Sequence, residues 1–159
     1  MLPHPESERT DSPQLEWPLR ITLPGEPIGK GRPRVRVISY GNRRPVPAFY
    51  SPKTTRDYEN ALRTVAVLAM RGRRPIEGAV HVVIGAYFGI PKSWSEIKRR
   101  SALGGLFKHT KRPDCDNVVK SCLDSLNKIV YDDDAQIVTV FVFKTYSDNP
   151  RLVIEVTPS

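Results

Sequence analysis

Leu19-Arg-Ile-Thr-Leu23 alternates apolar and polar residues, and that period of two predicts a short strand with one buried face. Ser51-Pro52 opens a helix, proline being tolerated in a first turn. Tyr58, Leu62, Val65 and Ala69 then recur at helical spacing to about Met70, and Gly72 closes the segment. Val80 to Ile90 is β-branched and aromatic enough for a buried strand. Ser93-Trp-Ser-Glu96 has capping-box spacing and introduces a short basic helix that Gly104-Gly105 breaks. From Asp116 to about Ile129, Val119, Leu123, Leu126 and Ile129, with Cys122 beside them, form the apolar stripe of an amphipathic helix. Gln136 to Tyr146 and Leu152 to Val156 read as a closing hairpin with its turn at Ser147-Asp-Asn-Pro150.

Strands and helices interleave, so the expected fold is α+β (an α/β layer), one small domain with a mixed β-sheet packed by helices. Between the first strand and the first helix, Pro24 to Pro52 is rich in Gly, Pro and Arg and predicts an extended, partly flexible loop with strand-like pieces. Residues 1–16 are polar, carry three prolines and show no periodicity. The division expected is a flexible tail over 1–17 and a folded domain over 18–159.

A hydrophobic fraction of 39% and a charged fraction of 26% belong to an ordinary globular chain of 159 residues, but a net charge of +8 does not. Residues 1–113 hold 21 Lys and Arg against 9 Asp and Glu, whereas residues 114–159 hold 4 against 8. A basic body with one acidic segment suits a polyanion on the first and a cation on the second; a surplus kept for solubility is the plainer reading. No apolar run spans a membrane and the start lacks a signal-peptide pattern, so a cytoplasmic protein without membrane association is expected. Cys115 and Cys122 stand seven apart in the predicted helix, about 10 Å along its axis and too far for a disulfide. Without nearby histidines they make no zinc site either.

The acidic segment carries the chemistry. Asp114 and Asp116 stand one residue apart just before the helix, where extended backbone would point both carboxylates the same way. Twelve helical residues carry the chain away by about 18 Å. Six extended ones, Ile129 to Asp134, return about the same distance, bringing back Asp132-Asp-Asp134. Carboxylates gathered without compensation repel one another, and a hard divalent cation removes that cost. An all-oxygen set suits one or two Mg²⁺, with Mn²⁺ able to substitute, and such a site activates water for phosphodiester cleavage. Lys120, one turn beyond Asp116, can neutralise charge at the phosphorus. Each piece also has an ordinary structural explanation. Asp114 or Asp116 serves as a helix N-cap, Asp116, Lys120, Asp124 and Lys128 form a solvated ion-paired face, and the aspartate triplet is a loop.

Lys30, Arg32, Arg34 and Arg36 recur at every second position, one face of an extended segment, with Val35 and Val37 on the other. Pro33 excludes a central strand, leaving an edge or an arm. With Arg112 these are the candidate DNA contacts, and Arg43-Arg44 adds to the basic surface; a solvated edge that resists aggregation is the alternative. The phosphate-loop pattern is missing, as are helix-turn-helix, zinc-finger and aromatic RNA-binding signatures, so backbone recognition is the expectation.

Arg112-Pro-Asp-Cys-Asp-Asn-Val-Val-Lys-Ser-Cys-Leu-Asp-Ser-Leu-Asn127, followed by Asp-Asp-Ala-Gln-Ile ending at Ile137, resembles the RusA-type Holliday-junction resolvases. Gly29-Lys-Gly-Arg-Pro-Arg34, Tyr50-Ser-Pro-Lys-Thr54 and Pro91-Lys-Ser-Trp-Ser95 are similar too. The resemblance covers about residues 19–156; Cys115 stands where an apolar residue is usual. It implies a homodimeric, Mg²⁺-dependent endodeoxyribonuclease that nicks strands of opposite polarity at a four-way junction in DNA recombination and repair. Asp114, Asp116 and Asp134 would be metal ligands, Asp133 a fourth carboxylate and Lys120 the catalytic lysine. A flap or fork nuclease, or a non-catalytic basic DNA-binding protein, are the alternatives.

Overall fold

A computed structural model describes residues 17–39, 41 and 44–159. The tail expected over 1–17 therefore lies outside the described residues except for Trp17, as does Arg43. Among the described residues six strands and three α-helices follow in the order β1 (Leu19–Pro24), β2 (Arg34–Ile38), β3 (Val46–Tyr50), α1 (Lys53–Met70), β4 (Val80–Gly89), α2 (Glu96–Leu103), α3 (Cys115–Leu126), β5 (Ile137–Ser147) and β6 (Arg151–Pro158), with one 3-10 turn at Asp134–Gln136. The expected α+β class with a mixed sheet is what forms.

The main sheet runs β1-β6-β4-β5, with β4 and β5 parallel and the other pairs antiparallel. Its register stacks apolar residues in rows across the strands. Leu19, Val156, Val82 and Val140 make one row, and Ile21, Ile154, Ile84 and Val142 the next. The third is Leu23, Leu152, Ala86 and, at the β5 edge, Lys144. Helix α1 covers this face with Tyr58, Leu62, Ala66 and Met70. It ends where Arg71 turns left-handed at φ 51° and Gly72 continues at φ 76°. Helix α3 packs beside it through Val118, Cys122, Ser125 and Leu126, with Val119 and Leu123 half buried. Its inward side is thus turned by about one residue from the predicted stripe, and Ile129 lies beyond its end in a turn.

The closing hairpin does not form. β5 and β6 flank β4 on opposite sides, and Asp148 to Pro150 cross the end of β4. The crossing fits because β4 stops at Gly89, where a Cβ would strike the Glu26 carboxylate and press on Pro150. Glu26 instead accepts the Gly89 N–H at 3.0 Å, and Gly25 N–H donates to the Pro150 carbonyl at 3.0 Å. Helix α2 is capped by Ser95, whose hydroxyl accepts from Lys98 N, rather than by Ser93. The 24–52 loop resolves into β2 and β3, an antiparallel ribbon separate from the main sheet.

Candidate active site

The start of α3 differs from the extended pair drawn from spacing. Asp114 is the N-cap residue in extended backbone, and Val118 N–H donates to its carbonyl at 3.1 Å, closing the first turn. Asp116 is therefore helical, and i and i+2 on a helix do not face each other. Among the described residues nothing donates a capping hydrogen bond to Asp114, so its carboxylate is uncommitted to them where a helix start favours negative charge. The Asp116 side chain is 65% exposed, with the Lys120 ammonium 3.5 Å away one turn on. An ion pair this open contributes little to stability.

This helix start is held from two directions, the arm and the sheet. Lys30 N–H donates to the Asn117 carbonyl at 2.8 Å. Gly29 lies so close to Pro113 and Asn117 that a Cβ would collide with both, which is why the arm needs glycine there. From the sheet, the Lys144 ammonium donates to the carbonyls of Lys111 at 2.8 Å and Pro113 at 2.9 Å. Between the arm and the helix start opens a cleft of about 430 Å³ lined by Lys30, Arg32, Arg112, Asp114 and Asn117 among others.

Of the four cations placed on one face of the arm, Lys30 is committed to the protein. Its ammonium pairs with Asp124 of α3 and, at 3.0 Å, with Glu59 of α1. Burial alone would lower its pKa, but these two carboxylates outweigh burial and raise it. Lys30 thus ties the arm to both helices. Arg32 stays in the cleft, and Arg34 and Arg36 project from β2.

The second acidic cluster hangs on two anchors, one buried and one half-buried. Tyr131, fully buried, donates its hydroxyl proton to the Leu123 carbonyl at 3.0 Å. Burial first, then the charge of Asp134, pushes that phenol's pKa up. The Gln136 amide accepts from Asp132 N at 2.8 Å and Asp133 N at 2.9 Å, and donates to the carbonyls of Ile76 at 2.9 Å and Gly78 at 2.8 Å. Asp133 caps the 3-10 turn, and the Ala135 N–H on its carboxylate holds that group below the usual carboxylate range. Asp134 begins the turn and is exposed. Among the described residues no three His, Cys, Asp or Glu side chains are gathered as a metal-holding group. The donors are oxygen-rich, and the Asp114 carboxylate takes no capping hydrogen bond among the described residues.

Sequence reasoning gave no role to Lys144 or Glu59 and saw Gln136 only inside a motif. A lone lysine in an apolar strand was the available signal for the first. Both cysteines are free, and Cys122 is buried, but Cys115, read from the sequence as a buried or half-buried side chain, is exposed. No helix among the described residues is long and apolar enough to cross a membrane.

Fold and site together define a small α+β domain with a cationic cleft built over the start of an acidic helix. The family model described as Endodeoxyribonuclease RusA matches residues 24–157, and the chain belongs to that family of endodeoxyribonucleases. It is also 34% identical over 142 residues to an uncharacterized protein of Bacillus subtilis (strain 168), YqaN, across 86% of this chain and 93% of that one.

Proposed function

We propose that this protein is a Mg²⁺-dependent endonuclease that resolves Holliday junctions by paired nicks, acting as a cytoplasmic homodimer in DNA recombination and repair. The carrying observation is the uncommitted Asp114 carboxylate at the start of α3, inside a cleft shared with Arg32 and Arg112, in a chain of the RusA family. A cleft that offers both guanidinium and carboxylate suits a phosphodiester approached together with a cation. Asp114, Asp116 and Asp134 would hold the ion, and their oxygen-only chemistry fits a hard divalent metal, Mn²⁺ substituting for Mg²⁺. When bound, the ion supplies a water of lowered pKa and a counter-charge for the leaving oxygen.

The chain's own groups do the rest. Arg32 and Arg112 take the non-bridging oxygens of the scissile phosphate and orient it over Asp114. Lys120 leaves Asp116 to meet the charge that builds on phosphorus. Asp133 shapes the turn that presents Asp134, since its own carboxylate serves as a cap. Two cuts related by a two-fold junction suit a two-fold protein. The outer face of the sheet, with Val83, Phe141 and Phe143, offers apolar surface for such a partner.

Nicking of a labelled four-way junction with and without Mg²⁺ tests this reading. Asp116→Asn and Asp134→Asn should each cut more than about a hundredfold more slowly, beyond the loss expected when only a group supporting a metal ligand is changed. Both should bind the junction as well as the parent or better, because negative charge near phosphate is removed. Undiminished cutting by both variants would refute the proposal. Equal cutting of four-way, three-way and linear DNA would replace a resolvase with a general or fork nuclease.

A further inference from the structure

The basic ribbon carries a second cleft away from the α3 start. In the β2–β3 register Arg34 faces Tyr50 and Arg36 faces Ala48, so these four share one side of the ribbon. Val35, Val37 and Phe49 occupy the other side, all exposed. The first turns of α1 bring Arg56 against the Arg34–Tyr50 side, and Arg36, Ala48, Tyr50 and Arg56 enclose a cavity of about 310 Å³. That is the low end of the roughly 300–1,000 Å³ of small-ligand clefts. The nearby acid on α1, Asp57, is held by Lys53 at 2.6 Å, and neither guanidinium has an acidic partner among the described residues. Two like charges facing one open cavity repel unless an anion lies between them. The phenol ring beside them supplies an apolar plane of the kind on which an unpaired base stacks.

We infer that Arg36, Arg56 and Tyr50 form a nucleotide-binding subsite in which the two guanidiniums clamp a backbone phosphate and Tyr50 stacks on an unstacked base. The inference rests on the DNA-cutting reading and adds to it a fixed position along the strand. One extended run joins the two clefts, Arg32 lying in the first and Arg36 in the second. Four extended residues span about 13 Å, a distance that a few nucleotides of one strand cover. The cutting site and the subsite therefore engage the same strand a fixed few nucleotides apart. A junction, where bases next to the crossover are free to leave their stack, presents such a nucleotide at a fixed distance from the cut.

The experiment uses the full chain in chelator, so that nothing is cut. A fluorescent adenine analogue is moved one position at a time along one arm of a four-way junction. Fluorescence should be quenched at a single position in the parent protein and in Tyr50→Phe, and not in Tyr50→Leu. Tyr50→Leu should bind about tenfold more weakly at constant salt, the scale of one lost base stack. Arg56→Gln should reduce the slope of log affinity against log salt by about 1. Circular dichroism melting confirms that each variant is folded. Quenching that is uniform or missing in the parent overturns the subsite, as does Tyr50→Leu binding and quenching like the parent. A protein that quenches at one position yet never nicks with Mg²⁺ keeps the subsite and loses the nuclease reading. One that nicks without position-specific quenching does the reverse.

Discussion

His109 lies flat on Phe88, ring centroids 3.8 Å apart and planes 9° from parallel, with Tyr146 edge-on at 5.2 Å. Burial, followed by the positive charge of Lys144 and then Lys111, lowers its pKa below the ordinary histidine value. The native imidazole thus stays neutral where the unfolded one takes up a proton. By linkage, its contribution to stability is complete above the unfolded pKa of about 6.5 and is lost as pH falls below it. His109→Phe keeps the stacked ring and removes the titration. Urea unfolding at pH 7 and at pH 5 should therefore show a smaller acid-side loss in the variant than in the parent, and equal losses would exclude His109 as the source. Lys30 illustrates the opposite case. Its spacing with Arg32, Arg34 and Arg36 is that of a phosphate contact, yet its partner Asp124 lies ninety-four residues away in sequence. No local pattern encodes that pairing, so the arm was legible and the task of its first lysine was not.

At the scale of elements, what the sequence carried was whatever depends on near neighbours. The alternation of Leu19, Ile21 and Leu23 produced β1, and the Tyr58–Leu62 spacing produced α1, because burial of one face repeats with the local period. Strand partnership is different. A connection of three residues between β5 and β6 normally closes a hairpin, but both strands find a better neighbour in β4, which is apolar on nearly every residue and buried between them. The acidic motif was legible as a motif; that Asp116 is helical depends on where Asp114 caps, a matter of one backbone angle. Lys144 stands out as a lone lysine in an apolar strand, but its task was not legible, because it is to reach two carbonyls of the 111–113 turn from elsewhere in the chain. Lys144→Met keeps the length of the side chain and removes the donors, leaving two carbonyls unpaired at about 1–3 kcal/mol in all. The turn that carries Arg112 and Asp114 should loosen. Expected are roughly ten- to a hundredfold slower nicking with little change in junction affinity, since misplacement of a group by about 1 Å has that effect, and faster amide exchange over 111–116. Unchanged exchange there would show that Lys144 does not position the site.

On the scale of the molecule, the two faces of the main sheet are unequal. One is sealed by α1 and α3 and, through Lys144, supports the cleft. The other leaves Val83, Tyr87, Phe141 and Phe143 outward, Phe141 being 59% exposed, with Arg151 stacked over Tyr87 at 4.0 Å and an Arg20–Glu155 pair at 3.8 Å beside them. Adjacent apolar and aromatic side chains with a thin polar border make a surface that a second copy can cover, because the two-fold relation sets each patch on itself. The acidic helix start is held from the opposite face through Lys144, so pairing through that patch leaves the cleft over α3 open to DNA. Phe141→Asp places a charge in the middle of such an interface without touching the buried rows of the core. It should raise the dissociation constant of the proposed dimer at least a hundredfold, about 2.7 kcal/mol, read by sedimentation velocity across protein concentrations. The cleft itself is untouched, so a monomeric variant should still nick, but its two cuts in one junction should fall out of step. Singly nicked junctions, a minor species for the parent, then accumulate. A variant that sediments as the parent does and cuts both strands together places the partner on another surface.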